Sequence, residues 1–101
     1  MNIIVVNKKK FKEEIKNSSK VIVDFFATWC PPCKAISPII EEFAKENNDI
    51  KVLKVNVDSE QELAIEYNVM SVPTIISFVD GNERNRIVGI TTKDKIENLI
   101  K

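Results

Sequence analysis

Apolar residues recur along this chain either in short strand-like runs or at helical spacing. The points where one pattern gives way to the other predict its secondary structure. Five stretches have the composition and length of β-strands: Ile3–Val6, Val21–Phe26, Ile50–Val57, Thr74–Val79 and Arg84–Ile90. The run Val21–Phe26 is nearly unbroken, as expected of a central strand that is buried on both faces. The last two stretches flank the turn Asp80-Gly81-Asn82 and predict an antiparallel hairpin.

Apolar residues at helical spacing fill the segments between these strands. Their inner faces would consist of Phe11 and Ile15, of Ile36, Ile39, Ile40 and Phe43, of Leu63, Ala64 and Tyr67, and of Ile96, Leu99 and Ile100. The second helix is expected over Pro32–Glu46. Ser59 with Glu62, and Thr91 with Asp94, have the spacing of residues that cap helix N-termini. The order β-α-β-α-β-α-β-β-α predicts an α/β fold, in which four helices flank a mixed five-stranded sheet.

Length and charge narrow the functional classes. With 101 residues the chain is expected to form a single domain, residues 1–101. Its 15 basic and 15 acidic residues cancel, which argues against electrostatic capture of nucleic acid or of an anionic membrane. Met1–Val6 is too short for the apolar core of a signal peptide, and no run reaches the roughly 20 apolar residues of a membrane span. The sequence therefore predicts a cytoplasmic protein.

Both cysteines lie in one motif, Trp29-Cys30-Pro31-Pro32-Cys33, where a strand gives way to a helix. In a compartment that keeps thiols reduced, such a pair is more often catalytic than structural, so the spacing indicates a thiol–disulfide redox site. A helix N-terminus stabilises a thiolate and lowers the pKa of a cysteine placed there. Cys30, which comes first and is expected to be exposed, would be the nucleophile, and Cys33 would resolve the mixed disulfide.

Two other interpretations of the cysteine pair fit less well. A static disulfide would close so short a loop that it would constrain the unfolded chain little. A structural zinc site needs four Cys or His ligands, whereas this chain has two cysteines and no histidine. Carboxylates or a second subunit would have to complete such a site.

A charged residue interrupts each of two apolar strands. Asp24 lies within the central run, where burial would raise the pKa of its carboxyl by penalising the ionised form. It could then accept the proton of Cys33 when that thiol becomes a thiolate, or it could lie at an edge or make a structural hydrogen bond. Lys54 interrupts the next strand and is either a partner of Asp24 or a lysine whose ammonium reaches solvent.

Three parts of the chain resemble the thioredoxin family. Val23–Lys34 is similar to that family's active site, Val72-Pro73-Thr74 to its proline loop, and Asp80-Gly81 with Val88-Gly89 to its C-terminal signature. The resemblance implies the thioredoxin fold and the reduction of protein disulfides by a reversible Cys30–Cys33 disulfide, with no bound cofactor. It also implies a thioredoxin reductase-type electron donor, oxidised client proteins and a monomeric protein.

The resemblance assigns roles to residues beyond the two cysteines. Asp24 would be the buried carboxyl that serves Cys33, with Lys54 nearby. Pro73 would be cis and would face the cysteines, although base rates for X–Pro bonds favour trans. The backbone of Val72 would pair with an extended substrate segment. The rim of this apolar surface would consist of Trp29, Pro32, Gly89 and Ile90.

Pro31 departs from the commonest thioredoxin motif, which encloses Gly-Pro. It removes a backbone N–H that would solvate the Cys30 thiolate, and it also stiffens the loop, so its effect on the redox potential has no predicted sign. A more oxidising protein of the disulfide isomerase or tryparedoxin type therefore remains an alternative. A non-catalytic subunit that binds partners through the same groove is the other.

Overall fold

The predicted order of strands and helices is confirmed. The computed structural model describes residues 3–101, and Met1 and Asn2 lie outside the described residues. Within that range the elements are β1 (Ile3–Val5), α1 (Lys8–Asn17), β2 (Lys20–Phe26), α2 (Pro31–Glu46), β3 (Lys51–Asn56), α3 (Gln61–Glu66), β4 (Thr74–Val79), β5 (Asn82–Val88) and α4 (Lys93–Ile100). The first four strands differ from their predicted bounds by at most one residue at either end.

The strands form one mixed sheet in the order β1-β3-β2-β4-β5. β1 and β2 both pair parallel with β3, because helical crossovers connect these strands. β4 pairs antiparallel with β2 and with β5. β2 is therefore the central strand of the sheet, and its carboxyl end leads into the segment that carries both cysteines.

The hairpin between β4 and β5 is confirmed, but the predicted bounds of its second strand are wrong. β5 spans Asn82–Val88 instead of Arg84–Ile90. The turn needs Asp80 and Gly81 alone, whose φ angles of 51° and 85° are those that a two-residue hairpin requires. The first residue of β5 therefore already pairs with the last residue of β4.

Alternate side chains of β2 point to opposite faces of the sheet, and each face carries its own core. Val21, Val23 and Phe25 pack with residues of α1 and α3, whereas Ile22 packs with residues of α2 and α4. Burying a side chain of this size contributes roughly 1.5–3 kcal/mol to folding. Asp24 lies on the same face as Ile22, so a carboxylate occupies a buried position where the strand pattern predicts an apolar residue.

The predicted capping box of α3 is wrong. The helix begins after Glu60, whose side chain makes no capping hydrogen bond. Ser59 Oγ donates to the carbonyl oxygen of Asn56 at 3.3 Å, because the preceding turn draws the hydroxyl back toward β3. Glu62 pairs with Lys8 of α1 at 2.6 Å instead of reaching its own helix terminus.

The predicted cap of α4 is also wrong, by one residue. Thr92 is the N-cap, and its hydroxyl oxygen accepts the N–H of Lys95 at 3.3 Å. The pair Thr91 and Asp94 therefore does not cap this helix. Thr91 is buried instead, and its hydroxyl has no hydrogen-bond partner among residues 3–101.

Candidate redox site

The two cysteines lie at the N-terminus of α2, as predicted. Cys30 is the N-cap residue, and Pro31 and Pro32 occupy the first two helical positions, where the missing proline N–H removes no helical bond. Cys30 and Cys33 form a disulfide, with their Cα atoms 5.3 Å apart. The backbone N–H of Cys33 donates to Cys30 Sγ at 3.2 Å. The helix therefore directs a donor at the first sulfur of the pair.

Cys30 is not exposed, and that prediction is wrong. The exposed fraction is 1% for Cys30 and 4% for Cys33, so burial does not distinguish the two residues in the disulfide form. Residues distant in the sequence cover the pair, because Val57 and Val72 pack against it. Cys30 Sγ lies 3.7 Å from the carbonyl oxygen of Val72.

An apolar groove of about 460 Å³ distinguishes the two sulfurs, because Cys30 lines it and Cys33 does not. We call it the Cys30 groove. Its lining residues are Trp29, Cys30, Pro31, Pro32, Val57, Val69, Met70, Ser71 and Val72. Three of the residues that the resemblance placed at this surface are among them, namely Trp29, Pro32 and Val72. The other three, Pro73, Gly89 and Ile90, are not.

The Val72–Pro73 peptide bond is cis, as the resemblance implied and contrary to the base-rate expectation. Pro73 is buried, and its carbonyl oxygen accepts the N–H of Gly89 at 2.8 Å. Gly89 has a φ of 95°, a conformation that favours glycine. Gly89 thus contacts the proline loop through its backbone, whereas the Ile90 side chain is 67% exposed outside the groove lining.

Trp29 is held at the groove by a hydrogen bond that the sequence did not indicate. Its Nε1–H donates to Asp58 Oδ2 at 2.8 Å, although 66% of the residue is exposed. Three further lining residues come from a loop that no periodic pattern describes, namely Val69, Met70 and Ser71, whereas Val57 ends the predicted third strand. One sequence signal could have identified Met70, because it is an apolar residue three positions before Pro73. In the structure Met70 is 95% exposed.

Asp24 is buried on the face of β2 that packs against α2, as predicted. It is 1% exposed, and neither carboxylate oxygen has a hydrogen-bond partner among residues 3–101. Burial raises the pKa of Asp24 from 3.8 to about 6, and the nearby Lys54 ammonium opposes that rise. This burial excludes an exposed edge position, and the lack of a partner excludes a structural hydrogen bond within residues 3–101.

Lys54 is the register partner of Asp24 in the parallel pairing of β2 and β3. Its Nζ lies 3.9 Å from Asp24 Oδ2, 3.5 Å from Ser37 Oγ and 5.0 Å from the centre of the Phe26 ring. The Lys54 side chain is 21% exposed, so it reaches solvent only in part. Of the two alternatives for this lysine, the structure supports the partner of Asp24.

A second cavity, of about 260 Å³, lies at the other sulfur of the pair, because Cys33 lines it and Cys30 does not. We call it the Cys33 cavity. Its lining residues are Phe26, Ala27, Thr28, Cys33, Lys34, Ser37 and Lys54. Its lining is mostly apolar, with polar side chains from Thr28, Lys34, Ser37 and Lys54, and it is large enough to hold water beside them. The cavity is therefore shared by Cys33 and by Lys54, whose ammonium lies 3.9 Å from Asp24 Oδ2.

The described residues give no support to the zinc alternative. Within residues 3–101, no three His, Cys, Asp or Glu side chains come together in a way that could hold a metal ion. In the same range, every helix is too short or too polar to cross a bilayer.

One sulfur of the disulfide lies at an apolar groove, and the other lies at a cavity lined by Lys54, the ion-pair partner of the buried Asp24. Fold and site together define a thiol–disulfide oxidoreductase. Residues 2–101 match the family described as Thioredoxin, and the chain belongs to that family. It is accordingly a protein-disulfide reductase whose redox-active group is the Cys30–Cys33 disulfide, and thioredoxins bind no cofactor.

Individual relatives agree with the family match. The chain is 44% identical over 96 residues to a thioredoxin of Chlamydia trachomatis, covering 95% of this chain and 93% of the relative. It is 38% identical over 97 residues to a thioredoxin of Mycoplasmoides gallisepticum, covering 96% and 97%. A solved structure of Plasmodium falciparum thioredoxin superposes with a TM-score of 0.87 at 34% identity, covering 95% of this chain and 93% of the other. The predicted thioredoxin fold is thereby confirmed.

Proposed function

We propose that Cys30 is the nucleophile and Cys33 the resolving thiol of a Cys-Pro-Pro-Cys thioredoxin that forms one domain over residues 1–101. The observation that carries this assignment is the different surroundings of the two sulfurs. Cys30 lines the apolar groove that a client can enter, and Cys33 lines the cavity that leads to Lys54. These surroundings support client binding at Cys30 and proton transfer at Cys33.

In the first step, the Cys30 thiolate attacks one sulfur of a client disulfide. A Cys30–client disulfide forms as the client disulfide breaks, and the second client sulfur leaves as a thiolate. The N–H of Cys33 and the partial positive charge of the helix N-terminus both stabilise the attacking thiolate. Because Pro31 and Pro32 have no N–H, this donor comes from the third helical residue.

An extended client segment would bind along the Cys30 groove. Its side chains would contact Trp29, Pro32 and the exposed Met70, and its backbone would pair with Val72 as an added strand. The Val72 carbonyl oxygen lies 3.7 Å from Cys30 Sγ, so a segment bonded to this backbone brings its own sulfur close to the nucleophile. Pro73, Gly89 and Ile90 would support or flank this surface, because they do not line the groove itself.

In the second step, Cys33 loses its proton and attacks Cys30 Sγ. The Cys30–Cys33 disulfide forms again, and the client leaves as a thiolate that takes a proton from water. Asp24 accepts the Cys33 proton, with water in the cavity as the carrier. A carboxyl with a pKa of about 6 is mostly ionised at pH 7 and yet basic enough to hold a proton briefly. The Lys54 ammonium stabilises its ionised form.

The oxidised protein must then regain two electrons and two protons from a thioredoxin reductase-type donor. We place this cycle in the cytoplasm, because a reductase works where thiols are kept reduced. The working unit is a monomer, since the groove, both sulfurs and the buried carboxyl belong to one chain. The zero net charge is consistent with protein clients and not with nucleic acid or a membrane surface.

The matched variants Cys33→Ser and Cys30→Ser test the order of the two thiols. With insulin as the disulfide substrate, Cys33→Ser should form a stable mixed disulfide that intact-protein mass spectrometry detects. Cys30→Ser should form no comparable adduct and should not turn over. Sustained turnover by Cys33→Ser would contradict the two-thiol mechanism, and faster adduct formation by Cys30→Ser would reverse the assignment.

The Asp24→Asn variant tests the proton acceptor. Asparagine has nearly the same shape but cannot take a proton, so client reduction should slow at neutral pH while the fold persists. The dependence of the rate on pH near 6 should also disappear. A pH–rate profile identical to that of the unchanged protein would count against this role.

A further inference from the structure

Ser37 connects the Lys54 ammonium to the turn of α2 that carries Cys33. Ser37 follows Cys33 by four residues, so both lie on one side of the helix. Its hydroxyl donates to the carbonyl oxygen of Cys33 at 3.5 Å and accepts from Lys54 Nζ at 3.5 Å. A serine hydroxyl can donate one hydrogen bond and accept others, so the two bonds are compatible. They form a chain with one direction, from Lys54 through Ser37 to Cys33.

Among the described neighbours of Lys54, Ser37 is the one that accepts a hydrogen bond from its ammonium. Asp24 Oδ2, at 3.9 Å, is within ion-pair range but beyond hydrogen-bond distance. The Phe26 ring, at 5.0 Å, attracts the charge without fixing its direction. Lys54 has a long, flexible side chain that is already 21% exposed. Without the Ser37 oxygen, its ammonium is free to turn toward water.

We propose that Ser37 is a positioning residue for the resolving step, and that its hydroxyl holds the Lys54 ammonium beside Asp24 at the edge of the Cys33 cavity. This inference deepens the proposed function and rests on Asp24 being the proton acceptor there. Ser37 touches neither client nor reacting sulfur in this scheme, and it acts through Lys54. The cavity that Ser37, Lys54 and Cys33 line together is the place where the three meet.

Lys54 is the electrostatic partner of Asp24. In the sheet, the register partner of Asp24 is Lys54 on β3 and the apolar Ile75 on β4. From α2 the titratable groups at the cavity are Cys33 and Lys34, and the buried face of α4 is apolar. Burial raises the pKa of Asp24, and among these groups it is the positive charge of Lys54 that lowers the pKa. A change that lets Lys54 move away should therefore raise the pKa of Asp24 further.

The variant Ser37→Ala should shift the resolving step to higher pH. Alanine removes the acceptor without disturbing the helix, so Lys54 loses its anchor and Asp24 ionises at a higher pH. Client release at pH 6 should slow about twofold to threefold, which corresponds to a rise of about 0.5–0.7 pH units in a midpoint that starts near 6. At pH 8 Asp24 is ionised in both proteins, and the rates should agree. Ser37→Thr keeps the hydroxyl and should restore the original profile.

Two measurements on the full chain test the proposal. The first follows the side-chain carboxyl carbon of Asp24 by NMR between pH 4 and pH 9. The second follows single-turnover reduction of a fluorescent disulfide peptide between pH 5 and pH 8. The variants are Ser37→Ala, Ser37→Thr and Lys54→Gln, together with the double variant Ser37→Ala/Lys54→Gln. Because Ser37 is proposed to act through Lys54, the double variant should titrate like Lys54→Gln alone.

A higher Asp24 midpoint in Ser37→Ala, rescue by threonine and no added effect in the Lys54→Gln background would support the proposal. An unchanged midpoint in Ser37→Ala would overturn it. An equal shift with and without Lys54 would overturn it as well, because Ser37 would then act by another route. An Asp24→Asn variant with an unaltered pH–rate profile would refute the proposed proton role itself, whereas the NMR midpoint still reports independently whether Ser37 places Lys54.

Discussion

Replacing Asp24 with asparagine should stabilise the fold, and the gain should grow as the pH rises. Burial keeps the folded-state pKa of this carboxyl at about 6, against an ordinary value of 3.8. Between these values the folded protein holds a proton that the unfolded chain has already lost. The stability of the unchanged protein therefore falls as the pH rises through this window, and levels off above about pH 6. Asparagine does not titrate, so the variant escapes this loss.

The size of the effect follows from the width of the window. Each pH unit between the folded and unfolded pKa values corresponds to about 1.4 kcal/mol, so the full loss is about 3 kcal/mol. Most of it falls between pH 4 and pH 8. The advantage of Asp24→Asn in unfolding free energy should thus be about 2–3 kcal/mol larger at pH 8 than at pH 4.

Urea unfolding of the oxidised proteins, followed by Trp29 fluorescence at both pH values, measures this difference. Asp49→Asn alters an exposed aspartate and serves as the control for the loss of a carboxylate elsewhere on the chain. A stability difference between Asp24→Asn and the unchanged protein that is the same at pH 4 and pH 8 would refute the reasoning. It would mean that Asp24 ionises alike in the folded and unfolded states.

Three further predictions concern the elements that hold the site. Thr92→Ala should cost about 1 kcal/mol by removing the α4 cap, whereas Thr91→Val should be close to neutral, because its buried hydroxyl has no partner in residues 3–101; urea unfolding compares the two. Gly89→Ala should cost about 1–2 kcal/mol through backbone strain at φ 95° alone, since an added Cβ meets no atom within 4 Å; the same unfolding assay measures it. Phe11→Ala should cost roughly 3–5 kcal/mol by opening a cavity among the rings of Tyr67 and Phe78, and calorimetry would show the lower unfolding temperature.

The elements that local chemistry controls could be predicted from the sequence. The apolar run Val21–Phe26 indicated a central strand, and the spacing of Cys30 and Cys33 at a strand–helix boundary indicated a redox pair. Asp24 stood out because a carboxylate in such a run must be partnered or functional, and the structure buries it with no hydrogen bond from the described chain. These inferences need only neighbours along the chain.

The features that depend on distant residues could not be predicted from pattern. Cys30 was expected to be exposed, but Val72 reaches it from a loop more than forty residues away. Ser59 had the right spacing for a cap, yet the turn that follows β3 uses its hydroxyl instead. The bond from Trp29 to Asp58 and the place of Ser37 beside Lys54 likewise arise only when the sheet brings these segments together. The cis bond before Pro73 was predicted only by the family resemblance, since base rates for X–Pro bonds favoured trans.

A redox titration of the Cys30–Cys33 pair in dithiothreitol buffers, read by Trp29 fluorescence, tests the central claim most directly. A protein-disulfide reductase should show a single two-electron transition at a potential of about −220 mV or below, in the range of the cytosolic glutathione pool. A transition above about −200 mV would instead indicate an oxidising or isomerising protein, with Pro31 as the first residue to examine. Absence of any transition would contradict the account, because the disulfide would then be structural.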